Sequence, residues 1–488
     1  MKKFLSHSPD SHASNLSRRL FLGKAGGSFG QLALMDLLMK SGTGTLHAGN
    51  HGRYQNVPPA IPKARKIIHL FMNGGVSQMD TFDYKPRLAQ FHGQRFDPGA
   101  GQLVESVTNS PGFKVLKSPF EFRRCGQSGQ WVSSVFPHMS RIVDELAFIQ
   151  SMTSTTNVHG LGSYMQNTGF TLPGFPCLGA WVCYALGEIN RNLPSFIVLP
   201  DPKGLPYNNM GNFTSGFLPL EYEGTVIDSH KANPVDYLNP PADAGMISAK
   251  SESQGRDILN QLNRNHQSHW PSDDRLAARI SSYEMAARLQ LSVPELFDLH
   301  GESQATRKLY GLDNPVTEDF GRRCLWARRM VERDVRFVQV WSGMGGPANN
   351  WDNHANIHKE LPYMTNQVDQ PIAALITDLK SRGLLEDTLV VWTTEFGRMP
   401  FSQGQGGRDH NGGTFVTWLA GAGIKPGSSV GQSDEWGWKA EEPVWCYDLH
   451  ATLLHLLGIN HENLTVRHQG IDRRLTDVHG HVLKSILA

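Results

Sequence analysis

Four short polar clusters in this chain of 488 residues contain carboxylates and imidazoles, the side chains that bind divalent metal ions. The clusters are Asp80 with Asp83, Asn157 with His159, Asp352 with His354, and Glu395 with Asp409 and His410. Two metal ions about 4 Å apart use roughly six to eight such ligands and clamp both oxygens of an in-line displacement. The chain supplies about that many, so we expect a site for divalent metal ions. The expected metal ligands are Asp80, Asp352, His354, Glu395, Asp409 and His410.

Two arginines, Arg398 and Arg408, flank the last of these clusters. Arginine suits bidentate recognition of phosphate, sulfate or carboxylate. The alternative is a pair of salt bridges within the loops, and the sequence leaves both interpretations open. We expect Arg398 and Arg408 to bind substrate, and we count Arg398, His159 and Asn157 as candidate catalytic residues.

The four clusters share one property: each follows a segment whose sequence predicts a buried strand. The predicted strands are Lys66–Met72, Leu146–Gln150, Pro194–Pro200, Val335–Trp341 and Thr388–Thr393, and a long helix is predicted at Leu361–Arg382. Alternation of buried strand, polar loop and helix is typical of a doubly wound, mostly parallel α/β sheet flanked by helices. In such folds ligands bind outside the carboxyl ends of the strands, so we expect the clusters to meet there.

The domain organisation is predicted from changes in composition along the chain. We expect one α/β domain over residues 60–488, with a polar and helical insertion or cap at about 225–330. Two amphipathic helices are predicted within or next to this insertion, at Arg279–Gln290 and Phe320–Arg333.

Composition excludes some classes of function. The net charge of +1 and the lack of a basic run give no electrostatic basis for binding nucleic acid. The five cysteines show no spacing typical of a zinc-thiolate site. Cys177 and Cys183 could form a disulfide in an oxidising compartment, and buried free thiols are the alternative.

The first 48 residues resemble an export signal. Ser17-Arg18-Arg19-Leu20-Phe21-Leu22 matches the twin-arginine pattern, and the stretch after it is too short and too polar to span a bilayer. We therefore expect export through the twin-arginine machinery to the periplasm or the outside of the cell, with no integral membrane span.

Several segments resemble known families. Residues 382–397, RGLLEDTLVVWTTEFG, resemble the sulfatase strand that leads into a metal loop, and residues 422–427 and 447–454 resemble later elements of the same alkaline-phosphatase-like superfamily. GGVSQMDTFDYKP, NVHGLGSYMQNTG, SGFLPLEYEG, WDNH, EFGRMP and GRDHN, in this order, resemble an exported bacterial family, domain of unknown function 1501.

The resemblance implies roles for individual residues. Glu395 takes the place of a metal-binding Asp, Asp352 and His354 resemble an Asp and a His ligand, and His410 resembles the later His, with Asp409 beside it. Asp80 is the acid nearest to the first strand, where the superfamily has its first Asp at the position of Asn73.

The nucleophile departs from the superfamily pattern, because the chain lacks the Cys/Ser-x-Pro-x-Arg motif of sulfatases. His159 falls at the position of the nucleophile, and it could be a metal ligand, a general acid or base, or a covalent nucleophile. Thr155 and Thr156 are nearby hydroxyl alternatives, or they cap the following helix.

Two functions follow from this pattern. The first is an exported hydrolase of phosphate or sulfate esters that uses divalent metal ions (Zn, Ca, Mg or Mn) and acts on a small molecule or a glycan. The second is a metal- or ligand-binding envelope protein that keeps the fold without turnover.

Overall fold

The computed structural model describes residues 61–104, 113–190, 192–229, 249–270, 276, 280 and 295–488. The twin-arginine segment and the helix predicted at Arg279–Gln290 therefore lie outside the described residues, apart from residue 280. The larger of two compact units lies within residues 52–234 and 291–488, and the helix Ala249–His269 belongs to the other unit.

The strands of the described chain are numbered in chain order. They are β1 Lys66–Met72, β2 Phe122–Cys125, β3 Gln130–Ser133, β4 Leu146–Thr153, β5 Phe196–Leu199, β6 Thr225–Val226, β7 Phe337–Ser342, β8 Thr388–Thr393, β9 Gly397–Gln403, β10 Gly407–Asn411, β11 Phe415–Gly421, β12 Ser429–Val430, β13 Val444–Trp445, β14 Val466–His468 and β15 Ile471–Arg473.

The α-helices of the described chain are numbered in the same way. They are α1 Pro86–Gln90, α2 His159–Thr168, α3 Leu178–Leu186, α4 Ala249–His269, α5 Gln304–Leu309, α6 Glu318–Glu332, α7 Ile357–Ser381 and α8 Cys446–Leu456. None of the described helices combines the length and the apolar character needed to cross a bilayer.

A mixed sheet forms the centre of the larger unit, with the strand order β12-β4-β11-β8-β1-β7-β5-β6 and β13 paired to β4. β1 pairs in parallel with β7 and β8, and β5 pairs in parallel with β7. β11 is antiparallel to both β8 and β4, so β4 runs in the same direction as β8. The carboxyl ends of β1, β4, β7 and β8 consequently lie at one edge of the sheet, as the α/β prediction required.

Both faces of the sheet are covered. Ile67 and Phe71 of β1 belong to an apolar core that also contains residues of α3 and α8. Ile68 and Leu70 point to the opposite face and are equally buried. Outside that core, α6 packs against β1 and β7, and α7 packs against α6. The doubly wound α/β class is therefore confirmed.

The predicted elements agree closely with the observed ones where burial dominates. The strands predicted at Lys66–Met72 and Thr388–Thr393 are β1 and β8, with the same bounds. α7 begins four residues before the predicted Leu361, where the Glu360 carboxylate accepts a hydrogen bond of 3.0 Å from the backbone N–H of Asn356. The helix predicted at Phe320–Arg333 is α6.

The segment predicted as an insertion at 225–330 contains parts of the larger unit. Its first residues form β6, which pairs with β5, and its last residues form α6, which packs on the sheet. The described α4 belongs to the smaller unit.

Each of the five cysteines is a buried free thiol. Burial raises the pKa of Cys177 and of Cys183 to about 12, so both thiols stay protonated at neutral pH. Cys177 and Cys183 are therefore free thiols in the structure and do not form a disulfide.

Candidate metal centre

Four side chains from different strand ends meet at the carboxyl edge of the sheet. His159 is the first residue of α2, which follows β4, and Asp352 and His354 lie in the loop after β7. His410 lies in β10, which forms a hairpin with β9 after the end of β8. The four potential ligand atoms of these residues all lie within 4.8 Å of one another.

One carboxylate oxygen, Oδ1 of Asp352, is at the centre of this group. The Nε2 atom of His354 lies 2.8 Å from it, that of His410 3.1 Å, and that of His159 3.2 Å. The Arg398 guanidinium donates a hydrogen bond of 2.6 Å to the same oxygen. Three imidazoles thus turn the same nitrogen, Nε2, towards a common point.

The opposite nitrogen of each ring, Nδ1, has its own acceptor. His159 Nδ1 lies 2.7 Å from Glu395 Oε1, His354 Nδ1 lies 2.5 Å from Gln403 Oε1, and His410 Nδ1 lies 2.6 Å from the carbonyl oxygen of Asn157. Because a carboxylate and a carbonyl only accept, Nδ1 carries the proton in each neutral ring and Nε2 has a free lone pair. Metal-binding histidines are held by outer partners of this kind.

The electrostatics of the centre keep its carboxylate charged. Burial acts to raise the pKa of Asp352, but the charge of Arg398 and the close contacts of the three imidazoles outweigh it, so this pKa is far below its usual range. Burial, together with the charge of Arg398, lowers the pKa of His410 to about 4, so its ring is neutral at pH 7. Burial acts to lower the pKa of His159, but Asp352 and Glu395 reverse this effect and raise it.

The donor set fits a divalent cation. His159 Nε2 is buried and makes no hydrogen bond among the described residues, although Asp352 is near. The Nε2 atoms of His354 and His410 lie 2.8 Å apart, and two lone pairs at this distance repel unless a cation or a proton lies between them. Ligand atoms of a tetrahedral zinc ion with bonds of about 2.0–2.2 Å are roughly 3.3–3.6 Å apart, slightly more than the distances from Asp352 Oδ1 to the three rings. A small outward shift of the rings would therefore seat an ion.

Access to the centre is uneven. The side chain of His354 is 28% exposed, whereas those of His159, Asp352 and His410 are 10%, 12% and 8% exposed. Tyr207 stacks on His159 with ring centroids 4.4 Å apart and covers that ring. Solvent therefore reaches the centre mainly on the side of His354.

Glu395 lies behind His159, which differs from its expected role as a metal ligand. Its Oε1 accepts hydrogen bonds from His159 Nδ1 and from the backbone N–H of Gly74, the latter at 2.8 Å. The Thr394 hydroxyl lies 3.1 Å from Oε2. The carboxylate is fully buried and orients the imidazole that faces the centre.

Asp80 and Arg408 pair with each other, away from the centre. Arg408 Nε lies 2.5 Å from Asp80 Oδ2, and neither side chain has any exposed surface. Arg408 also donates to the carbonyl oxygens of Leu116 and Met399, at 3.0 and 3.3 Å. The sequence predicted a metal ligand at Asp80 and a substrate contact at Arg408. In the structure the two side chains instead neutralise each other's charge in the interior. The salt-bridge alternative describes Arg408 better.

Asp409 is buried next to His410 in the chain, outside the group of ligand atoms. Its Oδ1 accepts a hydrogen bond of 2.8 Å from the backbone N–H of His410, so it supports the backbone of β10. Asp83, the neighbour of Asp80 in the first cluster, forms an ion pair with Lys85 at 2.9 Å.

Arg398 is fully buried, and its guanidinium is surrounded by acceptors. It donates to the carbonyl oxygens of Gly75 and Arg408, at 2.7 and 3.1 Å, and to that of Gly74, besides Asp352. Its role is therefore to tie the loops after β1 and β7 together and to hold Asp352. Direct contact with a substrate, as the sequence suggested, would require the loss of one of these bonds.

Asn157 contributes mainly through its backbone. Its carbonyl oxygen accepts from His410 Nδ1, and its side-chain Oδ1 accepts from the backbone N–H of Gly412 at 2.5 Å. The hydroxyl of Thr156 accepts a hydrogen bond of 3.1 Å from the N–H of Val158 and so forms a local turn just before α2. The N-cap residue of α2 is Val158, which makes no capping hydrogen bond through its side chain, so the capping role expected for Thr155 or Thr156 is not observed.

Two glycines permit the close approach of the loops. A Cβ at Gly74, whose φ is +125°, would lie 2.6 Å from the backbone nitrogens of Trp351 and Asp352. A Cβ at Gly407 would collide with the backbone carbonyl of His354. Sequence reasoning missed Gln403 and Tyr207, because neither residue stands in a recognisable spacing with the ligands.

Comparison with solved structures gives distant matches. They include the lipoteichoic acid synthase LtaP from Listeria monocytogenes, with 10% identity, a TM-score of 0.35, and coverage of 85% of this chain and 76% of that one. A mutant of TAB5 alkaline phosphatase matches with 11% identity, a TM-score of 0.34, and coverage of 82% and 99%. A protein of the alkaline phosphatase superfamily from Vibrio parahaemolyticus matches with 12% identity, a TM-score of 0.33, and coverage of 90% and 79%.

Comparison with curated proteins gives no match. A family model, in contrast, matches residues 64–487, which is most of the chain and includes every residue of the centre. The chain belongs to the family described as protein of unknown function (DUF1501).

Proposed function

We propose that this protein is a metal-dependent hydrolase of phosphate or sulfate esters. The observation that carries the proposal is the convergence of three imidazole Nε2 atoms on Asp352 Oδ1, with each Nδ1 bound to an acceptor. Such pre-oriented lone pairs are costly in a buried place unless a cation uses them.

The ligand types favour one group of metals. Calcium and magnesium prefer oxygen ligands, whereas zinc accepts three imidazoles and one carboxylate. Of the four metals expected from the sequence, zinc fits His159, His354, His410 and Asp352 best.

When bound, a divalent ion would polarise an ester oxygen and lower the pKa of water at the centre. The residues of the chain supply the rest: Glu395 and Gln403 orient the rings of His159 and His354, and Arg398 fixes Asp352. The positive charges of the ion and Arg398 exceed the negative charges of Asp352 and Glu395, which attracts an anionic ester.

The attacking group is best assigned to water. The Thr394 hydroxyl donates a hydrogen bond of 2.8 Å to the Met72 carbonyl oxygen, and the Thr156 hydroxyl accepts one from the N–H of Val158, just before α2. These two hydroxyls therefore already have structural partners, and Thr155, the other hydroxyl candidate from the sequence, is exposed. His159, which takes the place of a nucleophile in the resemblance, acts here as a ligand.

Metal analysis and a substrate panel test the proposal. Protein purified without chelator should contain about one zinc ion per chain, and it should hydrolyse at least one chromogenic phosphate monoester, phosphate diester or sulfate ester. Chelation and His159→Ala should abolish turnover, whereas His455→Ala, on α8 away from the centre, should not. Native protein that folds without metal and hydrolyses none of these esters would contradict the proposal.

The second candidate is a non-catalytic envelope protein that binds metal. It is favoured by the number of protein ligands, since four of them complete a tetrahedral site without an open position. Cobalt substitution separates the two: a four-coordinate spectrum that anionic inhibitors leave unchanged supports the binding protein, and a spectrum that they alter supports the hydrolase.

Export through the twin-arginine route is part of the same proposal, and it rests on Arg18 and Arg19 in the sequence. Replacing both with Lys should retain the protein in the cytoplasm of its host. Unchanged export of the Lys variant would reject this route.

A further inference from the structure

A group of buried polar side chains lies within the apolar core behind the metal centre. His69 of β1 and Gln339 of β7 are register partners, and they are 3% and 2% exposed. Their neighbours on the same face, Ile67 and Phe337 among them, are core residues. Buried polar groups in such surroundings normally have hydrogen-bond partners.

The end of α2 and the middle of α8 complete this group. Gln166 and Asn167 are each 2% exposed, and His450 is fully buried. Asn167 Oδ1 accepts a hydrogen bond of 2.8 Å from Gln339 Nε2, and His450 Nε2 lies 2.9 Å from the carbonyl oxygen of Gln166. We refer to His69, Gln166, Asn167, Gln339 and His450 as the polar cluster.

A chain of hydrogen bonds fixes the proton position on His69. Asn167 Nδ2 donates to the Ser163 carbonyl oxygen at 2.8 Å, so Asn167 must turn Oδ1 towards Gln339. Gln339 therefore presents its Nε2, which also lies 3.1 Å from His69 Nδ1. Since the amide nitrogen donates, His69 Nδ1 accepts, and its proton is on Nε2.

The proton of His450 is fixed in the same way. A carbonyl oxygen only accepts, so Nε2 of His450 carries the proton and Nδ1 has a lone pair. Burial lowers the pKa of His69 to about 3 and that of His450 to about 4, so both rings are neutral at pH 7.

Several atoms of the polar cluster have no hydrogen-bond partner among the described residues. They are His69 Nε2, Gln339 Oε1, His450 Nδ1 and both amide atoms of Gln166. The set contains donors as well as acceptors. A single partner that joins the two rings would accept a hydrogen bond from His69 Nε2–H and donate one to His450 Nδ1.

This requirement selects the chemistry of the ligand. A metal ion or an ammonium ion cannot accept from His69 Nε2–H, and a fully deprotonated anion cannot donate to His450 Nδ1. Water does both, and buried waters typically bind about three otherwise unpaired polar groups. We infer that the polar cluster is a built internal water site, with an ordered water bridging His69 and His450.

The consequence concerns α2. Its last turn, with Gln166 and Asn167, is held to the sheet and α8 through the polar cluster, while its first residue is His159 of the metal centre. The water is thus part of the scaffold that positions one ligand. The inference does not depend on the proposed hydrolase activity.

A high-resolution crystal structure of the full chain tests the inference. We expect a water within hydrogen-bond distance of both His69 Nε2 and His450 Nδ1. A dry gap, or direct pairing of the two rings, would overturn it.

Tautomers provide an independent test on the unaltered protein. Nitrogen-15 chemical shifts should show the Nε2–H form for both His69 and His450, and the Nδ1–H form of either would overturn the inference. His450→Leu should remove the water and lower the melting temperature, whereas His455→Leu, on the same helix and outside the polar cluster, should leave both unchanged. If His450→Leu does not fold, the nitrogen-15 measurement of the tautomers in the unaltered protein still tests the inference.

Discussion

Glu395 contacts the candidate metal centre through a single imidazole, that of His159. Its Oε1 fixes the proton of His159 on Nδ1, and the N–H of Gly74 holds the carboxylate in place. A neutral amide would accept a weaker hydrogen bond from Nδ1–H than a carboxylate does, and it would hold a metal-bound imidazole less firmly.

Glu395→Gln should therefore weaken metal binding without removing a ligand. Outer partners of ligating histidines are worth about 10- to 100-fold in metal affinity, and we expect a loss in this range. Competition with a chromogenic chelator measures the affinity, with the exposed Glu462→Gln as the control. A loss as complete as that of His410→Ala would mean that Glu395 binds the metal directly.

Breaking the ion pair of Asp80 and Arg408 should lower the stability of the protein and leave metal binding unchanged. Asp80→Ala leaves a buried guanidinium without its carboxylate, which costs about 3–5 kcal/mol of unfolding free energy. The exposed pair of Asp472 and Arg467 offers a control, because Asp472→Ala should cost only about 0–1 kcal/mol. Denaturant unfolding gives both values. If the Asp80→Ala protein were stable but failed to bind metal, the result would support the sequence prediction that Asp80 is a metal ligand.

At the scale of elements, the hairpin of β9 and β10 positions two of the proposed ligands at once. His410 lies in β10, and the backbone of His354 packs directly on Gly407, where no Cβ fits. The N–H of Arg408 also donates a hydrogen bond of 3.0 Å to the carbonyl oxygen of Asn353. The hairpin and the loop after β7 are therefore joined by direct backbone contacts.

Gly407→Ala tests this coupling. The added methyl group should displace the backbone of His354, so metal affinity should fall while the sheet remains folded. Gly301→Ala, where a Cβ meets no atom within 4 Å, is the matched control. Metal affinity equal to that of the native protein would show that the loop adapts without moving His354.

The sequence predicted strands and their arrangement correctly where burial of apolar side chains was the dominant cause. Mostly apolar runs predicted β1 and β8, and the rule on carboxyl ends placed His159, Asp352, His354 and His410 at one edge. The partners of Asp80 and Glu395 were beyond such reasoning. They depend on side-chain directions in a hairpin and a loop, and a carboxylate near a strand end looks the same whether it faces an ion, an arginine or an imidazole.

At the scale of the whole molecule, buried neutral histidines make stability depend on pH. Burial lowers the pKa of His450 to about 4, below its unfolded value of 6.5. The unfolded chain thus binds the proton more readily between these values, so this contribution is present above 6.5 and is lost as pH falls towards 4.

His450→Leu should consequently flatten the acid side of the stability profile. From about pH 7.5 to about pH 5, the native protein should lose about 2 kcal/mol more unfolding free energy than the variant. Urea unfolding at both pH values measures the difference, with His455→Leu as the control. Parallel profiles for the native protein and His450→Leu would show that His450 titrates normally in the folded state.

The wide spacing of the four proposed ligands along the chain also predicts an order of assembly. They lie at positions 159, 352, 354 and 410, so the last one emerges from the ribosome only after most of the sheet has been synthesised. Contacts between such distant positions form late in folding, because long loops must close first. A chain that ends before residue 410 should bind the ion poorly, and the ion should stabilise only the completed fold, in proportion to its free concentration.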